Sequence, residues 1–297
     1  MPAFAVERYE AIEPHMGSMV RIVVYANDAQ HARRAFHSTF ARIAGLDNKL
    51  SDYKPDSELN RLCAMQSMRI SADLVRVLSA SLELARESDG AFDITAGPLI
   101  RLWRDARQTR VIPTTIDEAR ARTGWRKLKL DGNRAALAEA NMRLDVGGIA
   151  KGYVADEAIK TLKHHGITSA LVAASGDIVV SNPPPGKRGW QVTVELLGGT
   201  RDLTLANEAV STAGDTGQFM ELKGKHYSHI LDPRTGMALT ARIAVSVVAP
   251  TGLEADGLDT TISVLGPTRG IDLMKRHRNA WALIVTEQGA VETGRPR

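Results

Sequence analysis

Asp256 and Thr260 stand four residues apart in the segment EADGLDTTISVLG. If the segment is helical, this spacing stacks their side chains on one face. A carboxylate and a hydroxyl placed in this way offer hard oxygen donors. Such donors suit Mg²⁺, a cation that keeps several waters or phosphate oxygens in its own shell. The pair also reads as a helix-terminal charge and a threonine bonded back to its own helix. Gly257 between them costs a helix about 1 kcal/mol against alanine, which hints at a close approach there.

A second candidate is LDVGGIAKGY, from Leu144 to Tyr153, where three glycines and one lysine fall at the expected passage from an apolar strand into a helix. Glycines let a ligand come near the backbone, and the first amides of a helix attract anions, so the segment suits phosphate. Its G-G-x-x-x-G spacing matches neither the dinucleotide fingerprint nor the nucleotide-triphosphate loop. A third candidate, HYSHILDPRTG, puts His229 where a strand meets a turn. Histidine titrates near neutrality and can move a proton, although such junctions also carry structural histidines. Arg234 in the same segment reads equally as a phosphate clamp or a solvated charge. In SDGAFDITAGPL, Phe92 precedes Asp93, and an apolar ring beside a carboxylate could line a pocket for a planar ligand. SGDI and STAGDTG are two further small-residue turns whose amides could face phosphate oxygens.

The elements that must position these residues follow from periodicity and punctuation. MVRIVVYA, Met19 to Ala26, is β-branched and reads as a strand; NDAQ then caps a helix with Phe36, Phe40 and Ile43 on one face. Ser71 caps a helix that carries Leu74, Val77, Leu78 and Leu82 inward and stops at Gly90. Thr115 opens a short helix, and the Asp131-Gly132 turn places a small meander within Trp125 to Val146. Ala150 to Gly166 is an expected helix with Val154, Ala158, Ile159 and Leu162 inward, followed by a buried strand in SALVAAS. After the proline-rich turn NPPPGKRG come antiparallel strands in WQVTVEL, RDLTLA, HYSHIL and RIAVSVVAP. Thr251 and Glu254 form a capping-box pattern for the Asp256 helix, which ends at Gly266-Pro267. A last helix and the strand WALIVT follow. The resulting fold class is α+β, with mixed and antiparallel sheets and packed helices.

At 297 residues, 43% hydrophobic and 24% charged, the chain has the composition of a globular protein, and disordered and fibrous classes are excluded. The net charge of +4 comes from basic groups scattered singly, which gives no nucleic-acid footprint and only mildly favours an anionic ligand. One cysteine, Cys63, excludes an internal disulfide and a cysteine-rich metal site. The sequence as it stands carries no signal-peptide pattern and no transmembrane run. The expected compartment is therefore cytoplasmic, or periplasmic or membrane-anchored if a leader has been removed.

Together, MGS at Met16 to Ser18, LSDYKPDSELNRL, SDGAFDITAGPLIRLW, LDVGGIAKGYVAD, ASGDI, STAGD, HYSHILDPRTG and EADGLDTTISVLG resemble the FAD:protein FMN transferase family, ApbE, over about residues 16–287. The resemblance implies a T-fold-type architecture. It divides the chain into an N-terminal extension (1–15), one flavin-transferase domain (16–287) and a C-terminal tail (288–297). It also implies FAD as substrate and Mg²⁺ as cofactor, with transfer of FMN to a threonine or serine hydroxyl of a target flavoprotein and release of AMP. The implied acceptor is a subunit of a respiratory electron-transfer complex. By matching motif positions, the metal falls to the backbone carbonyl of Ala150 and to Asp256 and Thr260. Flavin contacts fall to Met16, Tyr53, Ala91, Phe92, Asp93, Gly147, Tyr153 and Ile230, and assistance to transfer falls to His229.

Three residues depart from the family pattern. Ser175 stands in ASGD and Ala213 in STAG, and both are small. Asp259 stands where a small residue is usual, and it either strengthens the metal site or faces solvent. Two other activities fit the same motifs: hydrolysis of FAD to FMN and AMP, and non-catalytic carriage of intact FAD.

Overall fold

The computed structural model describes residues 6–214 and 217–294. Asp215 and Thr216 of STAGDTG, the first five residues and the last three lie outside the described residues. The helices are α1 (Ala29–Leu50), α2 (Glu58–Met65), α3 (Ala72–Glu87), α4 (Gly97–Thr109), α5 (Ile116–Ala121), α6 (Ala150–His164) and α7 (Gly252–Met274). The strands of the first half are β1 (Glu7–His15), β2 (Ser18–Ala26), β3 (Ser67–Arg69), β4 (Leu128–Asp131), β5 (Arg134–Leu137), β6 (Ala170–Ala174) and β7 (Asp177–Val180). Then come β8 (Trp190–Leu196), β9 (Gly199–Leu205), β10 (Glu208–Gly214), β11 (Phe219–Leu222) and β12 (Lys225–Ser228). The last are β13 (Leu231–Asp232), β14 (Met237–Ala238), β15 (Ile243–Ala249), β16 (Trp281–Thr286) and β17 (Gly289–Gly294).

Eight strands make one sheet in the order β1-β2-β6-β7-β10-β15-β16-β17, and every neighbouring pair in it is antiparallel. Side chains alternate across a strand, and the sequence uses both faces. Ile22, Val24, Ala282 and Ile284 pack under the helices with Phe36, Phe40, Leu78 and Leu162. Val23, Trp281 and Leu283 point the other way, where Trp190, Val192 and Leu203 of the β8–β9 hairpin cover them. A third apolar cluster ties Leu99 and Trp103 of α4 to Met220, Tyr227 and Leu231. No helix among the described residues is long and apolar enough to cross a membrane.

Several local expectations hold. Asp28 caps α1 by accepting from the His31 amide at 2.7 Å, Ser71 caps α3, and Thr251 caps α7. The capping box is half made, because the Glu254 carboxylate reaches His277. At Gly266, with φ of 71°, the α7 backbone breaks, and Pro267 starts the next helical turn. Other expectations are corrected. The Asp131-Gly132 hairpin is completed by β3, from far upstream, and residues 142–146 touch a strand partner only through a parallel bridge between Ala96 and Arg143. The apolar stretch before the glycines is thus extended but is not a strand. Glu7–His15, read as an extension, pairs along all of β2 as an edge strand, and β17 adds a second edge beyond WALIVT.

Candidate active site

The glycine-rich segment meets α7, and steric contact explains two of its three glycines, Gly148 and Gly152. A Cβ on Gly152 would lie 2.0 Å from the Gly252 carbonyl oxygen and 2.9 Å from Asp256 Cβ, so α6 and α7 touch backbone to backbone at this point. A Cβ on Gly148 would lie 2.9 Å from Thr260 Oγ1. Gly257 in turn makes room for Leu84 and Ile149, the close approach its helix cost suggested. The α6 amide of Gly152 donates to Asp256 Oδ2 at 2.9 Å. Ala150, the first residue of α6, lies in sequence between the glycine that meets Thr260 and the glycine that meets Asp256.

The surrounding carboxyl groups are buried and Lys151 is half-buried. Lys151 Nζ is 2.6 Å from Asp177 Oδ2, and Asp177 with Asp256 holds its ammonium well above the ordinary lysine range despite burial. Asp256 is pushed above the usual carboxylate range by burial and then by the Asp177 charge. Asp259 is 1% exposed, so it does not face solvent. Its Oδ2 lies 2.6 Å from Ser211 Oγ, and its Oδ1 has no partner. Ser211 Oγ is also 2.6 Å from Asp177 Oδ1. A hydroxyl has one proton to give, so Ser211 donates to one of these two carboxyl groups at a time. Burial, followed by the charges of Asp256 and Asp177, raises the Asp259 carboxyl well above the usual range.

These groups gather at one end of the large sheet. Val20 of β2 faces Ala174 of β6, which puts the Met16-Gly17 turn and the Ser175-Gly176 turn at the same end. The Thr212 amide of β10 donates to the Gly176 carbonyl at 3.2 Å, and β10 ends there. Met16, in the turn at φ of 51°, is half-buried against the core.

A second chain of contacts reaches Gly147. Its amide donates to Asp145 Oδ1 at 2.8 Å, Arg104 Nη2 donates to Asp145 Oδ2 at 2.7 Å, and the Arg104 guanidinium lies 4.4 Å over the Tyr53 ring. Tyr53 is 72% exposed and keeps surface to offer a planar ligand. Burial and the Asp52 charge push Asp145 up to about 6, against the pull of Arg104. The sequence assigns no individual role to Arg104, Asp145, Lys151, Asp177 or Ser211, although Asp145 and Lys151 lie in LDVGGIAKGY, Asp177 in SGDI and Ser211 in STAGDTG. Only their partners, distant in sequence, reveal what they do.

The remaining candidates are placed less openly. Ala91 and Phe92 are buried, Phe92 within the main core. Asp93 accepts from the Thr95 amide, the Thr95 hydroxyl and the Trp125 amide, and burial raises its carboxyl. Tyr153 is likewise in the core, its hydroxyl donating to Asp73 Oδ1 at 2.7 Å. His229 is half-buried between β12 and β13 and Ile230 is buried. His229 Nδ1 lies 3.0 Å from the Gln218 carbonyl. A carbonyl only accepts, so Nδ1 carries a proton. Arg234 is neither free clamp nor solvated charge, because it forks onto Asp232 at 2.8 and 2.7 Å.

This fold, with a glycine-rich helix start against an oxygen-donor face, is that of a class of flavin transferases. It is similar to the Pseudomonas stutzeri flavinyl transferase ApbE in its apo form, with a TM-score of 0.86 and 32% identity over 99% of this chain and 96% of that one. The Vibrio cholerae flavin transferase ApbE is also similar, with a TM-score of 0.87 and 26% identity over 97% of each chain. The chain belongs to the ApbE family, whose model matches residues 16–285. Its relatives include the FAD:protein FMN transferase of Klebsiella pneumoniae (strain 342), 30% identical over 295 residues, covering 94% of this chain and 84% of that protein. The FAD:protein FMN transferase of Haemophilus influenzae (strain ATCC 51907 / DSM 11121 / KW20 / Rd) is 30% identical over 271 residues, covering 84% and 78%.

Proposed function

We propose that this chain transfers the FMN half of FAD to a threonine or serine hydroxyl of an acceptor flavoprotein, with Mg²⁺ bound and AMP released. The observation that carries this reading is the junction of α6 and α7, where the glycine turn lodges against Asp256 and Thr260. The donor set fits the metal: a buried carboxylate, a hydroxyl and a main-chain carbonyl are hard oxygens. The unpartnered Oδ1 of Asp259 sits in the same buried cluster. Among the described residues no three His, Cys, Asp or Glu side chains form a metal cage, which agrees with a cation that takes the rest of its shell from substrate and water. Bound there, Mg²⁺ would neutralise charge on the pyrophosphate oxygens.

The chain's own residues account for the remaining steps. The Tyr53 ring, steadied by Arg104, supplies a face on which the flavin ring stacks, and the turn at Gly147 lets the pyrophosphate approach. His229 takes the proton of the acceptor hydroxyl at Nε2. The hydroxyl oxygen bonds to the phosphorus on the riboflavin side, the anhydride bond breaks, and AMP leaves with the bridging oxygen. Asp256 is a poorer base for that proton, since it already accepts from the α6 amide and belongs to the metal site. The proposed acceptor is a subunit of a respiratory electron-transfer complex, as the resemblance implies.

Mass spectrometry of an acceptor domain incubated with the protein, FAD and Mg²⁺ tests the reading. A gain of one FMN less water, lost with Asp256→Ala or His229→Ala, is expected. AMP without a mass gain would replace transfer by hydrolysis, and FAD left intact with an acceptor that related transferases do modify would leave only a carrier.

A further inference from the structure

Outside the flavin site, a cavity of about 310 Å³ is lined by Arg101, Arg122 and Arg143 together with Asn141, Thr115 and Glu118. We propose that this arginine pocket binds phosphate, either as the free ion or as the phosphoryl end of a nucleotide monophosphate.

The pocket is assembled by the fold and not by one flexible segment. Arg101 lies on the first turns of α4, Arg122 is the residue that ends α5, and Arg143 belongs to the extended stretch before the glycine turn. A Cβ on Gly97 would lie 2.6 Å from the Arg143 carbonyl oxygen, so the start of α4 is pressed directly onto that stretch. Ala96 bridges to Arg143 in the same place. The two walls are thereby fixed against each other.

Its charge is unspent. Among the described residues none of the three arginines is within ion-pair distance of a carboxylate, whereas Arg42, Arg104 and Arg234 all are. Three guanidinium groups against one glutamate leave the wall two charges positive. Ala96 gives α4 no side-chain cap, so the positive end of the helix adds to the field. Each guanidinium is a planar fork of several donors with no acceptor. Forks from three segments offer more donors than a planar carboxylate can accept, and a tetrahedral dianion with oxygens on every side can use them. The volume exceeds that of phosphate alone and leaves room for the sugar of a monoester. Arg104, three residues on from Arg101, is engaged instead with Tyr53, Asp52 and Asp145.

Isothermal titration of the full chain with inorganic phosphate, and separately with AMP and with adenosine, tests the assignment in wild type and in the Arg101→Gln/Arg143→Gln double variant. Saturable phosphate binding is expected, weakened at least about tenfold in the double variant, with FAD binding and melting temperature unchanged. Arg122→Gln alone, at an exposed helix end, should weaken phosphate binding independently. AMP binding tighter than phosphate, with the gain lost in the double variant, would identify a nucleotide as the source; equal affinities with no response to adenosine would identify the free ion. No saturable phosphate binding to wild type, or equal affinity in the double variant, overturns the proposal.

Discussion

Replacing Gly152 by alanine tests the α6–α7 junction most directly, because two opposing effects predict opposite signs. On helix propensity alone the change stabilises by about 1 kcal/mol. The structure places the new Cβ 2.0 Å from the Gly252 oxygen and 2.3 Å from its carbon, both main-chain atoms that cannot rotate away. An ordinary carbon–oxygen contact needs about 3.3 Å, so the helices must separate by more than about 1 Å. Overpacking of this kind costs about 1–3 kcal/mol. Separation also stretches the 2.9 Å bond from the Gly152 amide to Asp256, worth about 0.5–1.5 kcal/mol. After the propensity gain is subtracted, about 2 kcal/mol of destabilisation remains. With about 2.1 cal/mol/K of unfolding entropy per residue, the chain should melt about 3 °C lower. Gly45→Ala is the control, since it lies within α1 and its Cβ would meet nothing within 4 Å; it should melt slightly higher than wild type. Scanning calorimetry of both variants decides the matter. A Gly152→Ala protein that melts at or above the wild-type temperature would refute the backbone contact and the site built on it.

Asp73 accepts from Arg42, Lys49 and Tyr153, and Arg42 foremost holds its carboxyl well below the usual range. A depressed folded value means stability present above the unfolded carboxylate value of about 3.9 and lost as pH falls through the folded one. Asp73→Asn should therefore cost about 2 kcal/mol at neutral pH, with the gap to wild type closing only below about pH 4, as followed by urea unfolding across pH. Arg104→Gln strands the buried Asp145 carboxylate and uncovers Tyr53; a loss of about 3 kcal/mol and weaker FAD binding should appear together in denaturation and fluorescence titrations. His229→Ala should slow transfer by about 100-fold or more while FAD affinity stays within error, and a matching loss of affinity would assign His229 to binding instead. Asp256→Asn should abolish the Mg²⁺-dependent heat in calorimetric titration without FAD, and retention of that heat would move the metal elsewhere.

The parts of this fold that could be read from sequence are those whose causes are local. Asp28, Ser71 and Thr251 cap helices through bonds to amides three residues on, and the alternation of Ile22, Val23 and Val24 is a strand pattern wherever it pairs. The i, i+4 pair of Asp256 and Thr260 was legible because one helix sets it. What escaped is set by distant partners. Glu7–His15 has no β signature beyond its mate β2, and residues 142–146 look like a strand but find β3 in the ladder position their composition suggested. Lys151 could not be assigned from sequence because Asp177 meets it only after β6 and β7 turn back. The openness of Tyr53 and the burial of Phe92 and Tyr153 are likewise tertiary facts.

Gly152 and Asp256, joined by one hydrogen bond, are 104 residues apart in the chain. Order of synthesis therefore matters. A nascent chain can form α1, the β1–β2 hairpin and α6 while the ribosome has yet to make α7, and until then the glycine turn has nothing to rest against. The loop that brings the two helices together is long, and its closure entropy must be met before the contact stabilises anything. The proposed metal site should therefore be completed late, when α7 seats on α6. Fragments that end before Thr260 would then fold in part yet lack it.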